Sequence, residues 1–339
     1  PDDSNKQISS NLAVASDQQG ASLDVSADGL TLAVGSPGGS SVVHYSKDEN
    51  GTFNETGERT VSSISSSVGG FGNSVAYGKE WVAVGAPTTD SSRGAVFIYG
   101  RTSSGDIEFK QAIVPAIGAQ GDEFGYSLAI SNDDRFLFVG SPGSDEVYCY
   151  YKKISASDNV ATVTGNASDA TFALGFTPGG GDELNVTDGN GKTYINIKDF
   201  TVSGSNITFA SVPANTLQII IRQTSRFIYQ QRLTGASSSR FGHSVATDKI
   251  GQTLVIGAPY DSTVINQAGS VSVYHQEIER FIGNGTQVAF TTTGTIPDNM
   301  DFVEVNGTAL IVATGADGGT DTDSSANRFT RSGNTVTTR

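Results

Sequence analysis

The chain has 339 residues, of which 36% are hydrophobic and 41 are glycine, and its formal net charge is -14. A chain of this length can bury real cores, and its many Gly, Ser, Thr, Asn and Asp residues suit short strands joined by turns better than helices. The acidic balance repels the phosphates of DNA and RNA, which excludes nucleic acid as an expected partner. Because no apolar run approaches the roughly 20 residues that span a bilayer, we predict no membrane insertion.

One phrase recurs four times along the chain, beginning at Gly20, Phe71, Phe124 and Phe241. In each copy a Gly-x-Ser corner opens an alternating strand, a polar turn follows, and a second apolar strand runs into Gly-Ala-Pro or Gly-Ser-Pro. A third strand comes next, reading SVVHY, GAVFIY, DEVYCYY and GSVSVY in the four copies. Three short strands joined by tight turns predict the inner part of a propeller blade, so the predicted fold class is all-β.

The spacing of the copies indicates an inserted domain. The second-strand glycine recurs at Gly35, Gly85, Gly140 and Gly257, and the last interval is about twice as long as the others. The excess, residues 157–224, reads as short strands between Gly, Asp and Asn turns, which predicts a small β-sandwich-like domain. After it, RFIYQQRLTG resembles the segment FNETGERT that follows the first copy. The interrupted blade is therefore predicted to resume with its fourth strand.

The last part of the chain resembles that inserted domain. GNGTQVAF from Gly283 matches GNASDATF from Gly165, and the segment from Phe329 matches the one from Phe200. We therefore expect propeller blades over 1–156 and 225–278, an inserted domain over 157–224, and a second copy of it over 279–339. This copy stops before its last strand, and residues 6–16 resemble a fourth blade strand without the first three. Both observations lead us to expect a piece of a longer or processed polypeptide.

The repeated phrase, FG-x-S-(V/L)-A followed by (V/I)-G-(A/S)-P and G-x-V-x-(V/I)-Y, resembles the FG-GAP repeat of integrin alpha-subunit β-propellers. The resemblance covers about residues 20–153 and 227–276. The 157–224 segment, with its DGNGK and DFTVSGSNITF stretches, is similar to small all-β repeats of bacteriophage tail fibres and other virion appendages. Together these resemblances imply a virion or extracellular cell-surface protein that serves in adhesion.

Calcium-binding FG-GAP blades carry Asp-rich loops that supply several oxygens to the ion. The corresponding segments here are poorer in carboxylates, and Asp28, Asp133 and Asp248 are typical of tight turns. The loops after the Gly-Ala-Pro phrase hold one acid each, at Asp90, Asp145 and Asp261. The richest cluster, a weak candidate for calcium, consists of Asp317, Asp321 and Asp323, for which a solvated loop is the favoured interpretation. No other cofactor is predicted.

Catalytic signatures are weaker still. The histidines, His44, His243 and His275, lack metal-ligand spacing and lie in no nucleophile elbow. We predict no catalytic residue, although a pair of carboxylates that cleaves glycosides stays open, since their separation in space cannot be read from sequence. The third-strand aromatic residues and Trp81 are predicted to pack between blades, and Cys149 to be a small buried hydrophobic residue.

The leading functional hypothesis is a non-enzymatic structural or adhesion component of a virion, such as a phage tail fibre or appendage. Its expected partners are a glycan or protein receptor on a cell surface and other virion subunits. One alternative is a cellular surface protein with integrin-like, calcium-dependent adhesion. A second alternative is an enzyme that degrades polysaccharide, as tailspikes do.

Overall fold

The computed structural model describes residues 15–60, 68–102, 106–115, 118–153, 159–178, 184–190, 192–194, 199–223 and 226–275. Beyond these it describes strands over 289–291, 302–305, 308–312, 328–332 and 335–338. Nearly all of the regular secondary structure in the described chain is β-strand, with one short helical turn, α1 (Thr89–Ser92). The all-β prediction is confirmed. Most of the predicted strand over residues 6–16 lies outside the described residues.

Each of the four sequence copies forms one antiparallel sheet. We call these sheets repeat sheets 1 to 4, in chain order. Sheet 1 consists of β1 (Ser22–Val25), β2 (Thr31–Ser36), β3 (Ser41–Lys47) and β4 (Phe53–Thr60). Sheet 2 consists of β5 (Ser74–Tyr77), β6 (Trp81–Ala86), β7 (Ala95–Arg101) and β8 (Ile107–Ile113). In both sheets, neighbours in sequence are neighbours in space, as expected for strands joined by short turns.

Sheet 3 is built from two distant parts of the chain. Its first three strands are β9 (Ser127–Ile130), β10 (Phe136–Ser141) and β11 (Glu146–Lys153), and its fourth is β19 (Arg226–Thr234). The predicted fourth strand therefore pairs as expected, and Lys153 faces Arg226 where the ladder is interrupted. Sheet 4 contains β20 (Ser244–Thr247), β21 (Thr253–Ala258) and β22 (Ser270–His275).

The segment between β11 and β19 forms two small sheets. The first has the order β12 (Val160–Thr164), β18 (Gln218–Gln223), β14 (Leu184–Asp188) and β15 (Thr193–Tyr194). The second has the order β13 (Thr171–Ala173), β17 (Asn206–Phe209) and β16 (Phe200–Ser203). The sheets share a core of their own, which includes Val186, Phe200, Ile207 and Ile219. This segment belongs to the same compact unit as the repeat sheets, residues 1–274, and Asn185 donates a 3.3 Å hydrogen bond to the carbonyl of Phe109 in β8.

Residues 275–339 form a second compact unit. Its strands are β23 (Ala289–Thr291), β24 (Phe302–Val305), β25 (Thr308–Val312), β26 (Arg328–Ser332) and β27 (Thr335–Thr338). The order β23-β27-β26 repeats the order β13-β17-β16, and Phe290 pairs with Val336 as Phe172 pairs with Ile207. The inserted segment and the last part of the chain thus share a strand order as well as a sequence pattern. The two segments differ in that β25 runs parallel to β26 in the same sheet, whereas β14 pairs with β18 in the other sheet.

The repeat sheets pack against each other through their apolar faces. One core joins sheets 1 and 2 and another joins sheets 2 and 3. The third-strand aromatics are buried as predicted, namely Tyr45, Phe97, Tyr99, Tyr148 and Tyr150. Tyr274 in sheet 4 is the exception, because it is exposed. Trp81 is buried edge-on against Phe227, and the burial of Cys149 raises the pKa of its thiol to about 12.

Candidate binding surface

The residues that the four copies share make the contacts between successive sheets. The hydroxyl of Ser22 donates a 2.8 Å hydrogen bond to the carbonyl of Gly72 in the next repeat. The same contact recurs from Ser74 to Gly125 at 2.7 Å and from Ser127 to Gly242 at 2.7 Å. Each serine thus binds the corner glycine one repeat further along the chain.

The second-strand glycines leave room for this contact. A Cβ atom at Gly85 would overlap the carbonyl oxygen of Gly125, and Gly35 and Gly140 lie equally close to the next corner. The corner glycine itself has φ near +88° at Gly72, a conformation that side chains disfavour. We call each set of serine, second-strand glycine and incoming corner glycine a corner contact. The shared residues of the repeat are therefore occupied in joining the sheets.

The variable residue of each corner, the x of Gly-x-Ser, lies at the edge of these contacts. Asn73, Tyr126 and His243 occupy this position in repeats 2 to 4, and all three are partly exposed. The Asn73 side-chain amide donates a 3.3 Å hydrogen bond to the carbonyl of Tyr126. The hydroxyl of Tyr126 lies 3.3 Å from Nε2 of His243, with the two ring centroids 5.0 Å apart. These three residues, with Arg240 and Glu123, form what we call the corner strip.

Two charged residues complete the corner strip. The Arg240 guanidinium carbon lies 5.4 Å from the centre of the Tyr126 ring, within the range of a cation–π contact. Its Nη2 atom donates a 2.6 Å hydrogen bond to the Glu123 carboxylate. The strip therefore combines an amide, a ring face, an imidazole, a guanidinium and a carboxylate over three successive repeats. Such a set offers apolar stacking beside directional donors and acceptors, as small-ligand sites do.

At the opposite end of the sheets, carboxylates hold neighbouring hairpins together. Asp134 is buried, and it accepts hydrogen bonds from the backbone N–H groups of Lys79 and Glu80 at 2.8 and 2.9 Å. Its burial raises the pKa of the carboxyl, although these bonds and Lys152 act in the opposite direction. Asp28 accepts two 3.0 Å bonds from the Arg101 guanidinium of sheet 2. These contacts fix the hairpins of adjacent repeats.

The other acids of the predicted turns and loops accept hydrogen bonds from nearby groups, except that Asp145 binds a segment about 93 residues further along the chain. Asp133 accepts from the Ser131 hydroxyl at 2.6 Å, and Asp248 accepts from the Gln252 N–H at 2.8 Å. Asp145 accepts from the Ser238 N–H at 2.6 Å, and Asp261 from the Thr263 N–H at 2.8 Å. Among the described residues, no three His, Cys, Asp or Glu side chains are placed to hold a metal ion together. Asp317, Asp321 and Asp323 lie outside the described residues.

The histidines occupy different environments. His44 is buried between sheets 1 and 2, with Nδ1 2.8 Å from the Thr56 hydroxyl and Nε2 3.0 Å from the Tyr77 hydroxyl. His243 lies on the corner strip, and His275 ends β22. His44 therefore takes part in packing, whereas His243 is available at the surface.

Sequence reasoning missed several of these contacts. The buried Gln111 side chain exchanges two hydrogen bonds with the backbone of Phe227, at 2.8 and 2.9 Å, across the insertion. Arg240 was not predicted as a binding residue, because it lies just before the repeated phrase. The corner contacts could have been inferred from the sequence, because the serine and both glycines recur together in the copies.

Comparison with known proteins supports the repeat assignment. Residues 230–274 match the family of the FG-GAP repeat. This segment contains most of β19 and all of β20 and β21, so the match spans the resumption of sheet 3 and the fourth repeat. Residues 230–274 therefore resemble an FG-GAP repeat, which supports the FG-GAP interpretation of the recurring phrase. No curated protein matches the chain.

Solved structures share only a distant likeness with the chain. A Bacteroides uniformis protein provisionally assigned as a 6-phosphogluconolactonase is 11% identical, with a TM-score of 0.33 over 77% of this chain and 73% of its own. A similarly assigned Bacteroides fragilis protein is 12% identical, with a TM-score of 0.33 over 76% and 67%. Kuenenia stuttgartiensis hydrazine synthase is 11% identical, with a TM-score of 0.36 over 76% and 58%. No activity carries over at this level of similarity.

The part of the chain that the structure describes contains no helix with the length and apolarity needed to cross a membrane.

Proposed function

We propose that the chain is a non-enzymatic adhesion protein whose FG-GAP repeats form a β-propeller-type scaffold on a virion or cell surface. In this proposal the corner strip binds a glycan on a target cell. The inserted β modules add display surface, and a tail fibre or comparable appendage of a phage is the setting we favour. The proposal assigns the scaffold role to the contacts between repeats and the binding role to the corner strip, which those contacts leave partly exposed.

One observation carries the proposal. The serine and glycines that the repeats share are occupied in corner contacts, whereas the variable residue beside them is partly exposed and changes chemistry from repeat to repeat. A binding protein built on repeats needs this division, because rigid shared contacts can then present different side chains at equivalent points. Tyr126 and His243 provide the largest such side chains.

The chemistry of the corner strip supports a glycan as ligand. Sugar hydroxyls need donors and acceptors in fixed directions, which Arg240, Glu123 and His243 offer, while the apolar face of a sugar ring stacks on an aromatic ring such as that of Tyr126. The Arg240–Glu123 ion pair holds both side chains in place before a ligand arrives. Such preorganisation reduces the entropy lost on binding.

The position of the insertion supports a display role for the module. Lys153 and Arg226 pair directly across the β11–β19 ladder, so the inserted segment leaves and re-enters the sheet at adjacent points. A domain with its own core can be added at such a hairpin without breaking the strand order of the sheet. This arrangement extends the binding protein outward at little cost to the repeats.

The proposal is tested by incubating the purified protein with immobilised bacterial surface polysaccharides and measuring both retention and release of reducing ends. Retention without release of sugar supports adhesion, whereas catalytic release of reducing ends contradicts it in favour of a polysaccharide-degrading enzyme. Retention that a chelator abolishes would indicate integrin-like, calcium-dependent adhesion instead. Boiled protein serves as the control for nonspecific capture.

A further inference from the structure

A second group of aromatic and charged side chains lies on sheet 3, at the outer margin of the core that this sheet shares with sheet 2. Tyr229 of β19 is 53% exposed, although Tyr148 and Tyr150 beside it are buried in that core. The Tyr229 ring centroid lies 6.3 Å from that of Tyr148 and 6.0 Å from that of Tyr150. The buried rings therefore support the Tyr229 ring, whose outer surface stays open to solvent.

An ion pair accompanies this ring. Nη1 of Arg232 lies 3.0 Å from Oε1 of Glu146, and the Tyr148 hydroxyl donates a 2.8 Å hydrogen bond to Oε2 of the same carboxylate. The Glu146 side chain is largely buried, whereas the Arg232 side chain is 40% exposed. We call Tyr229, Arg232, Glu146 and Tyr148 the outer-strand cluster.

A β-bulge brings the ring and the ion pair to one face of the sheet. Residues three apart on a regular strand point to opposite faces. The β11–β19 ladder shifts register between Cys149 and Tyr150, so that Tyr229 pairs with Tyr150 and Arg232 pairs with Tyr148. The extra residue in β19 therefore places Tyr229 and Arg232 on the same face.

The packing of the repeats does not require these side chains. The ladders of sheets 1 and 2 have the same bulge at the equivalent point. The equivalent positions in those sheets carry other residues, namely Glu55 and Phe109 for Tyr229, and Ser41 and Ala95 for Glu146. Burying a carboxylate costs free energy unless it is paired, and sheets 1 and 2 pack with a small residue at that point. The outer-strand cluster thus distinguishes sheet 3 from sheets 1 and 2, which indicates a role other than packing.

We propose that the outer-strand cluster is a second glycan-binding site. It repeats the chemistry of the corner strip, in which an aromatic ring lies beside an arginine–glutamate pair. The apolar face of a sugar ring stacks on Tyr229, while its hydroxyls bond to Arg232 and Glu146. The choice of a glycan as ligand rests on the proposed function, whereas the site itself lies outside the corner strip.

The two sites adjoin one segment of sheet 3. Residues 235–239, between the arginines of the two sites, hydrogen-bond to Asp145, which precedes Glu146. A Cβ atom at Gly242, the neighbour of the corner-strip histidine, would meet the carbonyl oxygen of Glu146. A polysaccharide long enough to engage both sites binds more tightly than one site allows, because its second contact forms at a high effective concentration.

The test counts the oligosaccharides that one full chain binds. The probe is a single repeating unit of a bacterial surface polysaccharide that retains the wild type, titrated by isothermal titration calorimetry. The wild type should bind two units and Tyr229→Ala one, whereas Tyr229→Phe keeps the ring and should bind two. The matched control, Tyr260→Ala, replaces a tyrosine that is also 53% exposed and should bind two.

Binding to the intact polysaccharide gives a second readout. Tyr229→Ala should bind the immobilised polymer at least about tenfold more weakly than the wild type, because it loses the second contact. Circular dichroism establishes that the variant is folded, and Arg232→Gln provides a second variant if it is not.

The outcomes separate this site from the corner strip. A wild type that binds one unit, or a folded Tyr229→Ala that still binds two, would overturn the second site even where Tyr126→Ala/His243→Ala loses binding. Binding that is lost in Tyr229→Ala and unchanged in Tyr126→Ala/His243→Ala would support this site and contradict the corner strip. A protein that binds no polysaccharide would overturn both.

Discussion

The hydroxyl of Ser74 donates a 2.7 Å hydrogen bond to the carbonyl oxygen of Gly125, 51 residues further along the chain. Gly85 lies against the same carbonyl, where any side chain would overlap it. This contact explains why the corner serine and the second-strand glycine recur together, because they form opposite sides of one site for the next repeat. The repeated phrase thus encodes packing between units as well as the strands within each unit.

Removing this hydroxyl should therefore destabilise the protein. Ser74→Ala leaves the Gly125 carbonyl without its buried donor, and we expect a loss of about 1–3 kcal/mol in the free energy of unfolding. Ser244→Ala is the matched control, because Ser244 is exposed and should change the free energy by no more than about 0.5 kcal/mol. Urea unfolding of both variants measures the difference. Equal effects at the two positions would contradict the role given to the corner contact.

The buried carboxyl of Asp134 should give the stability a specific pH dependence. Burial holds its folded pKa above the ordinary value of 3.8, so the native state retains a proton that the unfolded state has lost. Ionising this carboxyl in the fold is therefore unfavourable, and its contribution to stability falls as pH rises from the unfolded pKa through the folded pKa. Relative to Asp134→Asn, the wild type should lose stability as pH rises from below 3.8 through the raised folded pKa of Asp134.

Urea unfolding at several pH values measures this difference, with Asp133→Asn as the control for the neighbouring turn. If the wild type instead gains unfolding free energy relative to Asp134→Asn as pH rises, the prediction is wrong. The hydrogen bonds from Lys79 and Glu80 would then outweigh the cost of burying the carboxylate.

The fold should not depend on a bound metal. The turn carboxylates bind backbone N–H groups and hydroxyls, which uses the oxygens that a calcium ion would need. We therefore expect that EDTA leaves the thermal unfolding midpoint unchanged within about 2 °C, because an ion bound to the native state would otherwise add stability by mass action. Buffer-exchanged protein with added calcium is the control. A fall of about 10 °C or more in EDTA would contradict this expectation.

The inserted module should be removable. Lys153 and Arg226 face each other across the ladder, so a short Gly-Ser hairpin can replace 157–224, and the smaller loop lowers the entropy cost of closure. The deletion also removes the hydrogen bond from Asn185 to Phe109, which is one long contact of 3.3 Å. We expect a soluble, cooperatively unfolding protein. Insoluble deletion protein beside soluble wild type would show that the module belongs to the core of the repeats.

The sequence was sufficient to predict most strands of the repeat sheets and their grouping, although not β8, the fourth strand of sheet 2. Alternation and the four recurring phrases identified the first three strands of each sheet, and internal comparison found the fourth strand of sheet 3 beyond the insertion. The bond between Gln111 and Phe227 could not be predicted, because it joins residues far apart in sequence that belong to no repeated phrase. The role of Asp134 could not be predicted either, since its partners Lys79 and Glu80 lie on another repeat.

The candidate site was less predictable than the fold. From the sequence, His243 was predicted only to lack metal-ligand spacing and a catalytic role. Its contact with Tyr126 and the support from Arg240 depend on how adjoining sheets are placed side by side. No spacing along one strand encodes that arrangement, so the corner strip emerged only from the structure.

The central claim, that shared corner residues build the scaffold while variable ones bind the target, is tested most directly by binding to immobilised surface glycans. The variant Tyr126→Ala/His243→Ala should bind at least about tenfold more weakly, a loss of about 1.4 kcal/mol, while it unfolds cooperatively like the wild type. Tyr260→Ala, which removes an exposed tyrosine outside the corner strip, should bind normally. Unchanged binding by the double variant, with its fold intact, would contradict the account.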